Sequence, residues 1–319
     1  RTPSSLIRNL NDPIETLQGA WTPEDEHAGD QVMSLRTALR TSSNRAAVHL
    51  LQDVGLDRTV AYARTLGIGD VPSVPSLALG SGEVTLQSLT AAYAAFANGG
   101  MLAQPRLIRR VEDRDGQLLY VNDAASTRVM RETTAFLMTT LLADVVDHGT
   151  GAGARRLGFT LPAAGKTGTT NDYHDAWFVG FTPTLVAGVW VGFDKPQTIL
   201  PGGFAAEVAV PLWVSFMTPA TKKDGPRRFS VPSGITTARI CRVSGLLATD
   251  GCEHEVVSPA AADAESGNEP SLVYTEFFED GTQPTTTCTL HESRGLLSAL
   301  AAVFKGGRRS DPSGGPPSP

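Results

Sequence analysis

The chain has 319 residues, of which 41% are hydrophobic, and it carries a formal net charge of −6. This is enough apolar material to bury one sizeable core plus a small appendage. The acidic balance and the lack of a long basic run give no reason to expect a nucleic-acid partner or a polybasic membrane patch. No apolar stretch approaches the roughly 18 residues that a spanning helix requires, and no signal-peptide pattern is seen.

Hydrophobic residues recur at helical spacing in the first half of the chain. The pattern predicts helices over 34–40, 46–53, 58–66, 85–98 and 132–146. Thr85 is a typical N-cap residue, and Asn98-Gly99-Gly100 is a typical helix stop. Between the last two helices, apolar residues on either side of Gly116 predict a surface hairpin over 108–121.

Strand-like alternation begins after the last of these helices. Apolar residues alternate over 177–193 with an interruption at Thr182-Pro183-Thr184, which predicts two strands joined by a tight turn. Directly before them, Lys166-Thr167-Gly168 opens a predicted third strand of the same antiparallel sheet. A lysine supplies positive charge, a glycine allows close backbone approach, and threonines supply hydroxyl groups. Together they favour binding of an extended anionic ligand such as a peptide carboxylate.

The composition changes near residue 221. Before it, 205–217 predicts a helix that packs on the sheet and that Pro211 is expected to kink or divide. After it, the sequence predicts short strands at 229–231 and 240–243, a polar linker around 260–270, an apolar helix at 296–304 and a disordered tail from 306. These breaks predict a main domain at 1–220, a small β-rich extension at 221–303 and a disordered tail at 304–319.

A second polar element lies between the first two predicted helices, where Ser42-Ser43-Asn44 has the pattern Ser-x-Asn. With Lys-Thr-Gly it matches two of the three signatures of penicillin-binding proteins and class A β-lactamases. Further similar segments lie at 21–24, 35–39, 79–85, 91–100 and 149–151. The chain from its first residues to about 219 resembles the transpeptidase domain of class A penicillin-binding proteins, with a weaker likeness over 277–291. β-Lactamases are less similar because they lack the Ala-Trp-Phe-Val-Gly hairpin at 176–180 and the long C-terminal extension.

The resemblance implies a fold and a chemistry. The expected fold is the α/β (α+β) fold of penicillin-binding proteins and β-lactamases, an antiparallel sheet flanked by helices, here with a small C-terminal extension. The expected function is a peptidoglycan D,D-transpeptidase of a bifunctional cell-wall synthase, which transfers an acyl group through a serine ester from stem peptides ending in D-Ala-D-Ala. β-Lactams mimic that acyl centre and are expected ligands. No cofactor is expected.

The same likeness implies where the protein acts and with what. In this family a membrane anchor and a glycosyltransferase domain precede the transpeptidase, which places the activity on the extracytoplasmic face of the bacterial inner membrane. Other components of the cell-wall synthesis machinery are the expected protein partners.

Residue roles carry over from the two motifs. Ser42 is expected to relay a proton towards the leaving amine, and Asn44 to hydrogen-bond the donor's backbone amide or the family's catalytic lysine. Lys166 is expected to attract the terminal carboxylate. The hydroxyls of Thr167 and Thr169 are expected to donate to the ligand, and Gly168 to leave room for it along the strand. The backbone N–H of Thr169 is expected to form part of the oxyanion hole. Two plainer interpretations stay open: Ser42 as a helix cap, and Lys166 as a strand lysine on a solvated edge.

The family's nucleophile motif, Ser-x-x-Lys, does not occur in this sequence. The residues three positions before the five lysines are Ala163, Gly192, Pro219, Ala220 and Ala302. The nearest imitation runs from Ser5 to Arg8, but an arginine stays protonated and cannot act as a general base. Residues 2–7 resemble the family segment that follows the nucleophile helix. We therefore expect the serine upstream of Arg1, in a longer precursor of which this chain is a fragment.

Other functions share this pattern. A non-catalytic module could bind stem peptides through the same groove, and a D,D-carboxypeptidase or β-lactamase relative would use water in place of an amine against the acyl ester. A Ser-x-x-Lys motif directly upstream would separate the enzyme from the binding module.

Three cysteines lie in the C-terminal extension. Cys252-x-His254 and Cys288-x-x-His291 bracket a Gly-, Pro- and Glu-rich segment, while Cys241 stands alone. An extracytoplasmic setting favours a Cys252–Cys288 disulfide or free thiols. A Cys/His zinc site is the alternative, but these spacings are loose for a structural zinc, so no metal is predicted. Cys241 is then expected to be buried or reactive.

Overall fold

The computed structural model describes residues 1–25, 29–123, 125–253 and 271–291. The chain forms two compact units. The main unit comprises Arg1–Ala238 and Glu276–Gln283, and the C-terminal unit comprises the described residues of Arg239–Thr275 and Pro284–Pro319. The predicted linker at 260–270, the helix at 296–304 and the tail from 304 lie outside the described residues, and the predicted domain boundaries stay predictions.

The helices of the main unit follow the predicted periodicity closely. They are α1 (Leu35–Thr41), α2 (Asn44–Val54), α3 (Leu56–Thr65), α4 (Leu86–Ala97), α5 (Glu132–His148), α6 (Gly153–Arg156) and α7 (Ala205–Ala220), with 3-10 turns at Pro75–Leu79 and Asn171–Tyr173. Thr85 caps α4 as predicted, because its side chain accepts a hydrogen bond from the Ser88 N–H. Pro211 does not divide α7, which runs through it as one helix. Within the described ranges, no helix has the length and apolarity needed to cross a membrane.

One three-stranded sheet organises the main unit. It consists of β9 (Ala164–Thr169), β10 (Asp175–Phe181) and β11 (Val186–Gly192), antiparallel and in the order β11-β10-β9. This confirms the predicted strands and their break at the Thr182-Pro183-Thr184 turn. In the β9–β10 register Lys166 pairs with Val179 and Gly168 with Trp177.

The remaining strands form short antiparallel pairs. They are β1 (Leu6–Arg8) with β4 (Val32–Ser34), β2 (Ile14–Thr16) with β3 (Gly19–Trp21), β5 (Met101–Ala103) with β8 (Ser126–Arg128), and β6 (Arg110–Glu112) with β7 (Leu118–Val121). The β6–β7 pair is the predicted surface hairpin, and all its residues are exposed.

One predicted strand was wrong and another was displaced. Residues 229–231 form no strand. Prolines at 226 and 232 flank them and remove backbone donors, and Phe229 packs instead edge-on against Phe181, with ring centroids 5.7 Å apart. The strand predicted at 240–243 is the end of a longer one, β12 (Ile235–Cys241), which pairs with β13 (Val273–Glu279).

Helices cover both faces of the sheet, which confirms the predicted fold class. On one face, the fully buried Trp213 of α7 contacts Phe178 and Phe159 and donates its indole N–H to the carbonyls of Gly180 and Ala187, both at 3.2 Å. On the other face, Phe181 forms a cluster with residues of α4 and α5. A Cβ atom at Gly180 would lie 2.9 Å from the Trp213 ring, so this close packing requires a glycine in the central strand.

A buried ion pair ties α1 to distant parts of the main unit. Arg36 donates through Nε and Nη2 to the two carboxylate oxygens of Glu276, each at 2.6 Å, and through Nη1 to the Thr140 carbonyl at 3.1 Å. Glu276 is fully buried and also accepts the backbone N–H of Phe277 at 2.8 Å. The charges are paired in fork geometry, so α1, α5 and β13 are held together at one point.

Replacement of Arg36 should show how much this ion pair contributes to the free energy of unfolding. We expect Arg36→Met to lower the free energy of unfolding by about 3–5 kcal/mol, because it leaves an uncompensated carboxylate in the interior. Chemical denaturation followed by circular dichroism measures the loss.

The matched control is Arg64→Met. The Arg64–Asp70 pair has a similar length, 2.8 Å, but both side chains are exposed, so its loss should cost only about 0–1 kcal/mol. Equal losses in the two variants would show that burial gives the Arg36 pair no special weight.

Candidate active site

Ser42 lies at the end of α1 in a backbone conformation that is unusual for a serine. Its φ and ψ are 59° and 39°, in the left-handed region, and its N–H donates to the Leu39 carbonyl at 3.2 Å. The helix cap that the sequence allowed for Ser42 belongs to Ser43, whose side chain accepts the Ala46 N–H at 3.2 Å. The Ser42 hydroxyl is therefore not used for capping, and a strained turn presents it at an exposed position.

Lys166 of β9 reaches Ser42 across 124 positions of sequence. Its Nζ donates to the Ser42 Oγ at 2.8 Å and to the Thr167 carbonyl at 3.0 Å. Burial of the ammonium lowers the pKa of Lys166 to about 8. Lys166 is therefore not a solvated edge lysine, and the structure brings the two predicted motifs together.

Thr167 faces a residue that the sequence analysis did not single out. Its Oγ1 lies 2.6 Å from the Oγ1 of Thr150, which follows α5. The Thr150 N–H donates to the Arg40 carbonyl at 3.3 Å, and a Cβ at Gly149 would lie 2.3 Å from that same oxygen. Gly149-Thr150-Gly151 thus joins the end of α1 to β9. The only signal in the sequence was its likeness to the family, which gave it no role.

Asn44 begins α2, two residues after Ser42, and is exposed. Its side-chain amide donates to the Glu24 carbonyl at 2.9 Å, which fixes the side chain against the preceding loop. The predicted bond from Asn44 to a ligand amide or to a catalytic lysine stays a prediction.

The end of β9 is tied to the sheet and to α7. The Thr169 Oγ1 accepts the Ala205 N–H at 3.0 Å, at the start of α7, and still has its own proton to donate. A Cβ at Gly168 would meet only the Trp177 Cβ, at 3.4 Å, which is an ordinary contact. The fold itself does not require glycine at 168, so ligand space remains the reason we offer for it.

Backbone strain is concentrated around this site. Among described residues, positive φ values at non-glycine positions occur at Asn9, Ser42, Asp172 and Tyr173. Three of these four belong to the Ser-x-Asn turn and to the turn that follows β9. Strained conformations of this kind persist where the surroundings fix them, and they are common at functional sites.

The predicted disulfide is not formed in the structure. Cys241, Cys252 and Cys288 are all free and buried, and their sulfur atoms surround the imidazole of His291. His254 lies outside the described residues.

Comparison with known proteins places the chain in a family. Residues 9–197 match the penicillin binding protein transpeptidase domain. The chain belongs to the transpeptidase family of penicillin-binding proteins. Residues 231–293 match the C-terminal domain of penicillin-binding protein 1A.

Curated relatives and solved structures agree with this assignment. Penicillin-binding protein 1A of Rickettsia typhi is 34% identical over 270 residues, covering 75% of this chain and 34% of that protein. The protein of the same name from Neisseria gonorrhoeae is 37% identical over 226 residues, covering 68% of this chain and 28% of that protein. The chain thus spans about a third of the length of the curated relatives it matches.

Among solved structures, penicillin-binding protein 1A from Haemophilus influenzae matches with a TM-score of 0.76 and 26% identity, over 90% of this chain and 46% of that one. PonA1 from Mycobacterium tuberculosis matches with a TM-score of 0.62 and 21% identity, over 73% of this chain and 67% of that one, which is a likeness of fold.

The lowered pKa of Lys166 gives a direct test of the site. Below about pH 8 the folded chain holds the ammonium, and above it the neutral amine. A lysine in the unfolded chain keeps its proton until about pH 10.4. We expect a ¹³Cε-lysine resonance that titrates near pH 8 and disappears in Lys166→Met.

The same shift has a consequence for stability. Between about pH 8 and 10 the unfolded state binds more protons, so the free energy of unfolding of the wild type should rise with pH relative to Lys166→Met. A pH-independent difference between the two proteins, or no resonance with a midpoint near 8, would show that the ammonium is not buried in solution.

Proposed function

We propose that this chain is the greater part of a peptidoglycan D,D-transpeptidase domain of a bifunctional cell-wall synthase. Its acylating serine is supplied by a Ser-x-x-Lys segment that the printed sequence does not contain. The observation that carries the proposal is the 2.8 Å hydrogen bond from Lys166 to Ser42 within a chain of the transpeptidase family. Two motifs far apart in sequence meet there at one polar centre.

The substrate class follows from the strand that carries Lys166. Within the described residues β9 has a strand partner on one side only, β10, so its outer backbone groups can pair with an extended peptide. At neutral pH the Lys166 ammonium is positive and attracts a carboxylate, while the hydroxyls of Thr167 and Thr169 can donate to it. An extended peptide with a C-terminal carboxylate, such as a stem peptide ending in D-Ala-D-Ala, meets both requirements.

The chemistry is acyl transfer in two steps. The serine oxygen attacks the carbonyl of the penultimate D-alanine, the peptide bond to the terminal D-alanine breaks, and that D-alanine leaves as an amine. The amine of a second stem peptide then attacks the ester, forms the cross-link and releases the serine. The proposed reaction uses side chains and backbone groups alone.

Ser42 is suited to the proton transfer in the first step. Because Lys166 donates to its oxygen, the Ser42 hydroxyl keeps its own proton for another acceptor, such as the leaving amine. The Thr169 backbone N–H would form one half of an oxyanion hole, and the acylated serine's own N–H the other. Asn44 would hold the donor's backbone amide.

Ligands and setting follow from the same proposal. β-Lactams present a strained amide and a carboxylate in the arrangement of D-Ala-D-Ala, so the complete protein should be acylated by them. The activity would lie on the extracytoplasmic face of the inner membrane, in contact with other cell-wall synthesis proteins.

One observation favours a second candidate. Because no Ser-x-x-Lys occurs in the printed sequence, the chain could serve as a module that binds stem peptides without acylation. Fluorescent penicillin separates the two functions. We expect covalent labelling of the protein made from its complete reading frame, at a serine upstream of Arg1, and no covalent labelling of the printed chain.

Either of two results contradicts the proposal. Labelling of the printed chain itself would place the nucleophile within it. A complete reading frame with neither an upstream Ser-x-x-Lys nor any label would leave the binding module as the function.

Ser42→Ala tests the proton relay in the complete protein. We expect its acylation rate by penicillin to fall by roughly 10²–10⁴-fold, because the leaving nitrogen loses its proton donor. Stopped-flow or gel-based labelling measures the rate. The control, Ser233→Ala, removes an exposed hydroxyl elsewhere in the main unit and should leave the rate unchanged. Equal rates in the two variants would remove Ser42 from the mechanism.

A further inference from the structure

Four side chains of metal-binding type converge in the C-terminal unit. Cys241 ends β12, Cys252 lies in α8 (Asp250–Glu253), and Cys288 and His291 belong to the last described segment. One ligand atom from each lies within 4.8 Å of the other three. The proposed acyl transfer uses none of them.

The distances within this cluster are those of ligands around one ion. The Nδ1 of His291 lies 3.4 Å from the sulfur of Cys241, 3.5 Å from that of Cys252 and 3.3 Å from that of Cys288. A neutral imidazole nitrogen is one donor or one acceptor, so three hydrogen bonds to sulfur cannot explain these contacts. Tetrahedral zinc with ordinary Zn–S and Zn–N bonds holds sulfur and nitrogen about 3.5 Å apart. A common centre accounts for all three distances.

Burial of the cluster gives a reason for an ion. The three cysteines are the buried members of an apolar cluster in the described part of this unit, and the partly buried Ala248 and Val273 pack against them. Among the described residues this apolar cluster is small, and small clusters of this kind are commonly stabilised by a disulfide or a metal.

Neighbouring polar groups of the backbone and of Thr249 hold the ligands in place. Thr249 donates its N–H to the Cys252 sulfur at 3.4 Å and its hydroxyl to the His291 carbonyl at 3.0 Å. The Cys288 N–H donates to the Leu247 carbonyl at 2.7 Å. Contacts of this kind orient metal ligands and stabilise thiolate charge.

We propose that the C-terminal unit binds one Zn²⁺ through the sulfurs of Cys241, Cys252 and Cys288 and the Nδ1 of His291. Sulfur ligands favour zinc over calcium or magnesium. The ligands of an iron–sulfur cluster are shared among two or more iron atoms, whereas these four ligand atoms all lie within 4.8 Å of one another, close enough for a single ion. Four protein ligands close the coordination sphere, which is typical of a structural site. Each thiol loses its proton as its Zn–S bond forms, so binding releases protons and is favoured by higher pH.

The proposal and the predicted Cys252–Cys288 disulfide exclude each other. Oxidation of those two thiols would remove two of the four ligands. The same cysteines can thus form either a disulfide or a zinc site. Measuring bound zinc and free thiols on one sample decides between the two.

The test uses the whole printed chain without an affinity tag, purified and then supplied with one equivalent of zinc before desalting. We expect about one zinc per chain by elemental analysis, and its release when three thiols react with a mercurial reagent. Replacement by Co²⁺ should give the ligand-field and sulfur-to-cobalt absorption of a tetrahedral thiolate site. A protein without zinc would overturn the proposal, whether its thiols are reduced or its mass is two hydrogens lower from a disulfide.

Matched variants define the ligand set. We expect Cys241→Ser and His291→Ala each to lose most of the bound zinc, and His254→Ala to retain it. Zinc lost from His254→Ala but kept by His291→Ala would overturn the assignment of the nitrogen ligand. The outcome does not depend on penicillin labelling, so the zinc site and the proposed function stand or fall separately.

Discussion

The position of one helix end decides whether the two motifs of the candidate site meet. Ser42 meets Lys166 because α1 ends at Thr41 and its end lies beside β9. Arg36 fixes the helix from within through its buried pair with Glu276. Gly149 fixes its end, since any side chain there would collide with the Arg40 carbonyl. The two contacts act on opposite ends of the same short helix, so the Ser42 hydroxyl is positioned by parts of the chain that take no role in the proposed chemistry.

How much of this could be predicted depended on the range of the interactions. Helices such as α4 and α5 and the sheet strands have local periodicity, and α4 also has a local cap in Thr85, so the sequence predicted them closely. The cap of α2 was ambiguous because Ser42 and Ser43 are neighbours of the same type. The strand predicted at 229–231 failed because tertiary packing of Phe229 and flanking prolines outweighed its local preference.

The contacts that complete the candidate site are not local. Arg36 and Glu276 are 240 positions apart. Thr150 lies in a loop and contacts Thr167, but nothing in the local sequence distinguishes its hydroxyl from that of any other threonine. The cysteines show the same limit. The sequence analysis favoured a Cys252–Cys288 disulfide or free thiols and set Cys241 aside, because Cys241 has no histidine close to it in sequence. The structure draws one sulfur from each of three segments, which no local pattern could indicate.

The two units bury polar groups by different physical means. In the main unit the Lys166 ammonium donates to a hydroxyl and a carbonyl, and burial weakens its hold on the proton. An arriving carboxylate would stabilise the charged form. In the C-terminal unit the proposed Zn²⁺ would meet three thiolates, a net charge of −1 that the Thr249 N–H helps to stabilise. An ammonium that is hydrogen-bonded to neutral groups suits a site that must bind and release an anionic ligand. A closed, nearly neutral site suits a permanent cross-link, so the chemistry of each cluster matches the role proposed for it.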